Sequence, residues 1–228
     1  MEALTQYMGK VVHLEGSGKF QIVGYLIDLG EDIVVIHNGR QYIYLPFKHI
    51  HTVRLATLDD DWMQLQQLED EFDEGNSIDT NHGSISYRQI LKNAKGMFLE
   101  CYITGNHTIH GYITEIQDDY FVFYSPVYHT LFISMDHLKY LIPYYPGVTP
   151  YSVDKAYLEV DPIDLPLADS FIHLFKQLEG KFVVLDLGAN PNKIGFFKKI
   201  TNGLIQLVTA NGEVFHWNIK HIKTLHLP

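Results

Sequence analysis

Short runs of alternating apolar and polar residues recur along this chain, cut by Gly, Asn and Asp. Three of them, "GKVVHLEG", "GMFLECYITG" and "GKFVVLDLG", start on a Gly and read as half-buried strands. Each is followed by a longer stretch: "YLIDLGEDIVVIHNGRQYIYL", "YITEIQDDYFVFYSPVYHTLFIS" and "FFKKITNGLIQLVTANGEVFHWN". These stretches predict two or three further strands each, with turns at "GED" and "NGR", at "QDD", and at "TNG" and "NGE". The period of two makes Ile43, Leu131 and Phe215 equivalent inward positions. The same holds for Leu45, Ile133 and Trp217, and for Phe47, Met135 and Ile219.

The stretches are copies of one unit. Aligned on His49, His137 and His221, each copy carries a Gly pair fifteen positions apart: Gly9 and Gly24, Gly96 and Gly111, Gly180 and Gly195. A short helical pattern precedes each copy: Leu4 with Tyr7 and Met8; Ile90, Leu91 and Ala94; Phe171, Leu174, Phe175 and Leu178. The last has i, i+3, i+4, i+7 spacing, with Gly180 placed to end it. A short helix followed by about five bent strands describes a small SH3-like or Sm-like barrel. The predicted fold is therefore mainly β, with three such barrels at residues 1–55, 87–142 and 167–228. So small a unit is marginal alone, and the three are expected to pack together.

Two linkers separate the copies. Residues 56–86 are acidic, and Trp62, Leu65, Leu68 and Phe72 fit one face of a short amphipathic helix. Residues 143–166 are rich in Pro and Tyr and are expected to run extended over the surface. Of the aromatic residues, Tyr144, Tyr145, Tyr151 and Tyr157 fall in this second linker and form the candidate interaction surface.

Charge narrows the function. With 17 basic against 27 acidic residues and a net charge of −10, the chain repels a phosphate backbone, so nucleic acid is not expected as a partner. The 13 His predict that charge shrinks as pH falls through about 6.5, favouring self-association. No apolar run is long enough for a membrane span, and "MEALTQYMGK" lacks the basic start and apolar core of a secretory signal. Synthesis in the cytoplasm is the expectation. The single Cys101 excludes an internal disulfide and a multi-thiolate zinc site.

The closing phrases "HIHTV" from His49, "HLKYL" from His137 and "HIKTL" from His221 carry a family likeness. Together with "LADSFIHLFKQLEGKFVVLDLGANPNKIG" at 167–195, the chain resembles the N-terminal repeat region of the spore coat protein B family of endospore-forming bacilli. That likeness implies a structural coat component, made in the mother-cell cytoplasm and deposited on the forespore. Its implied partners are other coat proteins and the chain itself. Longer members carry a Ser/Lys-rich tail after the third repeat, while this sequence stops at Pro228, so no role of that tail is carried over.

Candidate chemistry is sparse. Three equivalent His could surround a pseudo-threefold axis, but a residue repeated at one place in a fold is better read as a turn cap. His49/His51 and His107/His110 have metal-like spacing without a third ligand in register. Cys101, on a strand face with Leu99 and Ile103, reads as a small buried hydrophobe. No nucleophile elbow, P-loop or dinucleotide fingerprint occurs. The expectation is no enzyme, no metal and no cofactor. Instead, the chain is read as a multivalent protein–protein scaffold. The alternative is an Sm-like or SH3-like module that binds a peptide or other ligand, for example by strand addition.

Overall fold

The structure, a computed structural model, describes residues 2–57, 77–78, 85–104, 107–145, 148, 150–153, 155–158 and 165–228. It is mainly β. The first copy forms β1 Val11–Gly16, β2 Gln21–Leu29, β3 Ile33–His37, β4 Tyr42–Pro46 and β5 Ile50–Leu55. The second forms β6 Phe98–Thr104, β7 His107–Ile116, β8 Tyr120–Ser125, β9 His129–Ser134 and β10 Tyr140–Pro143. The third forms β11 Lys181–Leu185, β12 Ile194–Thr201, β13 Leu204–Val208, β14 Val214–Asn218 and β15 Thr224–His226. Helices α1 Glu2–Thr5, α2 Tyr87–Asn93 and α3 Phe171–Gln177 stand before the three sets. The helix proposed around Trp62 to Phe72 lies outside the described residues.

Two compact units divide the chain. One comprises Met1–His110 with Lys139–Ser152, the other Gly111–Leu138 with Val153–Pro228. In the first the strands run β6-β10-β4-β3-β2-β1-β5; in the second they run β14-β13-β12-β11-β15-β9-β8-β7. All pairings described are antiparallel, and within each copy the fifth strand returns to pair with the first. Neither order is closed: β5 stands at an end of the first and β14 at an end of the second.

Both sets of repeated glycines have a physical cause. Gly9, Gly96 and Gly180 have φ of +71°, +79° and +81°, the left-handed region that ends a helical turn without strain only when no Cβ is present. Gly24, Gly111 and Gly195 are needed for closeness instead. A Cβ there would run into the carbonyl oxygen of His37, Tyr124 or Val208 on the next strand. Two residues beyond each of these, the register slips: between Leu26 and Asp28, Ile113 and Glu115, and Phe197 and Lys199. Such a bulge sharpens the twist and bends the strand.

The core departs from the predicted one-sided alternation. β3 is buried at every position, β8 likewise, and β4 and β9 are buried over four residues each. The outward-pointing residues are covered by the neighbouring copy. Tyr120, Val122 and Phe132 share a core with Phe171, Leu185 and Leu225, while Tyr102 and Ile142 share one with Leu14, Ile22 and Ile43. Tyr44 is covered by the first linker: its hydroxyl accepts from the Ile78 amide at 2.6 Å. Burial pushes that phenol up to about 12.

Candidate functional site

Besides the glycines and bulges internal to each copy, contacts between one copy and the next also recur at fixed places. β4 pairs with β10, setting Tyr44 opposite Leu141; β9 pairs with β15, setting Phe132 opposite Leu225. In each seam a fourth strand meets the fifth strand of the following copy. Counting from the aligned His, Tyr44 and Phe132 are equivalent, and so are Leu141 and Leu225. All four are buried.

Helix caps cross the same seams. The Asp32 carboxylate, just before β3, accepts the Tyr87 amide of α2 at 2.6 Å. Asp119, just before β8, accepts the Phe171 amide of α3 at 2.7 Å. A carboxylate at a first-turn N–H satisfies a donor that has no partner within the helix. Sequence reasoning missed both, although an Asp at aligned positions one residue before the third strand was the available signal. In the third copy Gly203 takes that place.

The repeated His residues close the turns between fourth and fifth strands, 3-10 turns in the first and third copies and a simple turn in the second, but their surroundings differ. His49 is buried, and its Nδ1 lies 3.0 Å from Ser17 Oγ, which accepts from Lys139 Nζ at 2.7 Å. Half-buried His137 places Nε2 2.9 Å from the Lys220 carbonyl oxygen of the third copy. His221 is exposed. The first two therefore reach toward the following copy, and the three imidazoles do not share one environment.

The four linker tyrosines split in two. Tyr144 Oη lies 3.0 Å from His110 Nδ1, and its ring meets Phe98 edge-on at 5.0 Å. The Tyr145 hydroxyl donates to the Arg40 carbonyl oxygen. Tyr151 and Tyr157 are instead 50% and 77% exposed. Around His110 a polar cluster gathers: burial pushes the Glu100 carboxyl upward, while the nearby His110 opposes it. Burial, then Glu100 and Tyr102, raise Tyr140 to about 12. Two clefts lie in the same unit. One of ≈ 270 Å³ is lined by Ile22, Asn38, Ile43 and Tyr140; the other, ≈ 410 Å³, by Glu15, Phe20 and His51.

Asp186 is a hub in the third copy. Buried at the end of β11, it accepts the Lys223 amide at 2.7 Å and the Thr224 amide at 3.2 Å, and pairs with Lys193. Its role is to fix the return of β15 to β11. Cys101 is fully buried at the position Leu14 and Leu185 occupy in the other copies, and burial, then Glu100, push its thiol up. Among the described residues no three His, Cys, Asp or Glu side chains gather as a metal site; the His107 side chain lies outside them. No helix of the described residues is long and apolar enough to cross a membrane.

The third copy, Phe171 to Leu225 included, matches a family model described as the YwrJ third domain, over residues 170–225. A Bacillus subtilis (strain 168) protein described as "Uncharacterized protein YwrJ" is 40% identical over 231 residues, covering 100% of this chain and 100% of that protein. With identity sustained from end to end through all three copies, the chain belongs to the YwrJ family.

Proposed function

We propose that this protein is a non-catalytic structural component of the bacterial spore coat, acting as a multivalent protein–protein interaction scaffold. One observation carries the scaffold half: a single five-strand unit is built three times, and its strands 4 and 5 are used twice to join copies. Each unit is an SH3-like or Sm-like barrel on this reading. Support comes from a fifth strand returning to the first and a bulged second strand in every copy, and from a 3-10 turn between strands 4 and 5 in the first and third. Modest contacts made by linked units add through effective concentration. The coat half rests on the likeness of the repeats to the spore coat protein B family. A relative in Bacillus subtilis fits that setting. The partners are then other coat proteins and the chain itself, with Tyr151 and Tyr157 as contact residues; synthesis is in the mother cell.

Mass spectrometry of washed, detergent-extracted coats tests the proposal. Enrichment there, with absence from vegetative cells, is the expected result; a soluble pool in growing cells would overturn the coat assignment. In that event the peptide-binding alternative moves ahead. The cleft beside Phe20 and His51 favours it, because it lies against β5, where an added strand could dock.

A further inference from the structure

We infer that a second copy of this chain docks head-to-tail, its β5 pairing antiparallel with β14 of the first. The inference deepens the self-association half of the scaffold reading and rests on that half alone. Twice within the chain a fourth strand pairs with the fifth strand of the next copy. A fourth strand, β14, ends the order of one unit, and a fifth strand, β5, ends the order of the other. They are the two complementary halves of the same seam.

Burial shows what each half lacks. β4 and β9 are buried along four residues, whereas β14 alternates between exposed and half-buried. β10 and β15 are largely buried, whereas β5 is exposed or half-buried throughout. Val214 is 49% and Leu55 42% exposed. An open edge strand is a pairing template that proteins ordinarily blunt with Lys, Pro or an inward charge. β14, "VFHWN", has none of these and is strongly β-forming. His221, exposed at the end of its turn, stands where His137 reaches the next copy.

The inner seams also dictate the register. Tyr44 faces Leu141 and Phe132 faces Leu225, so the equivalent pair between molecules is His216 opposite Val53. Gly203 supplies no carboxylate to cap a helix, so the intermolecular seam holds by strands alone and is weaker than the inner ones. Association is therefore concentration-dependent. Because the net charge of −10 opposes it, it strengthens with salt. A head-to-tail contact does not use the same patch on both partners, so copies add until the ends meet or a filament grows.

Cysteine crosslinking of the full chain tests the pairing. Opposite residues of an antiparallel pair have Cα atoms about 4.5–5.5 Å apart, within disulfide reach. Val53→Cys and His216→Cys are prepared separately and oxidised alone or as an equimolar mixture, with the wild-type chain, whose Cys101 is buried, as background. The expected result is linked dimer in the mixture and none above background in either variant alone, with a light-scattering mass that rises with concentration. A chain monomeric at every concentration, or linkage as strong in one variant alone as in the mixture, overturns the inference. Coat fractionation fails or succeeds independently of this result, so the two readings can be told apart.

Discussion

β9 and β14 are the same strand of the same repeated unit, written "HTLFIS" and preceding "IKH" as "VFHWN", yet one is core and the other is edge. Phe132 of β9 is fully buried against the third copy; His216, its counterpart in β14, is exposed. The difference teaches that burial in this fold is set by what lies beyond the fourth strand, not by the strand's own alternation. Position along the chain decides which copy has a following neighbour, and so which outward face becomes interior.

The sharpest way to break the comparison is to truncate both residues. Phe132→Ala removes a ring from a closed core and is expected to cost about 3–5 kcal/mol of unfolding free energy. His216→Ala, at low protein concentration, is expected to stay within about 0.5 kcal/mol of the parent. Denaturant titration followed by Trp fluorescence measures both. Equal losses would mean that the two strands are not in the different environments described.

A second pair tests the opposite point, that features internal to a copy are indifferent to its place. Gly111→Ala and Gly195→Ala each thrust a Cβ at a carbonyl of the adjoining strand, Tyr124 or Val208. Both are expected to lose about 2–3 kcal/mol, by overpacking that the bulged strand cannot relieve. Gly212→Ala, at a φ of +85° with nothing within 4 Å of the new Cβ, should lose only about 1–2 kcal/mol from backbone strain. The same titrations, run side by side, check the ranking.

The sequence made the intra-copy features readable because each is local. Gly9, Gly96 and Gly180 sit between a short helix and a strand, and the helix faces of Leu91 and Leu174 follow from spacing alone. The seams were not readable that way. Tyr44 and Phe132 occupy outward positions of an ordinary alternating pattern, and nothing within β4 or β9 announces the strand that covers them. Asp32 and Asp119 lie between: alignment of the copies exposes them, but their role needs the helix of the following copy. Of the proposed contact surface, Tyr144 and Tyr145 are engaged by His110 and Arg40, which no sequence spacing indicated.

A smaller effect is expected where a seam loses only its cap. Asp119→Ala frees the Phe171 amide at the start of α3 and should cost about 1 kcal/mol, the usual range for a lost N-cap. Asp169→Ala, an exposed neighbour that accepts through its backbone, keeps its contact to the Asp118 amide and serves as control. Thermal unfolding of the two variants should separate them by several degrees at most; no separation would remove the cap from the seam.

The least of the four effects belongs to His226, on the strand that closes the second seam. Its Nδ1 is buried without a hydrogen-bond partner among the described residues, and its ring lies 6.3 Å from that of Tyr128. Burial lowers its pKa below the ordinary 6.5, because the imidazolium would lose hydration and gain no acceptor. The sign follows from proton counting. As pH falls below 6.5 the unfolded chain takes up the proton first, and the folded chain follows only at its lower value. Across that window the unfolded state binds more protons, so stability declines as pH drops and is level above it. His226→Gln keeps the size and polarity of the side chain and removes the titration. Unfolding midpoints measured from pH 7.5 down to about 5 should therefore fall less steeply in the variant. Parallel profiles would mean that His226 meets solvent in the folded chain, and that β15 is held less closely against β9 and β11 than its backbone pairing implies.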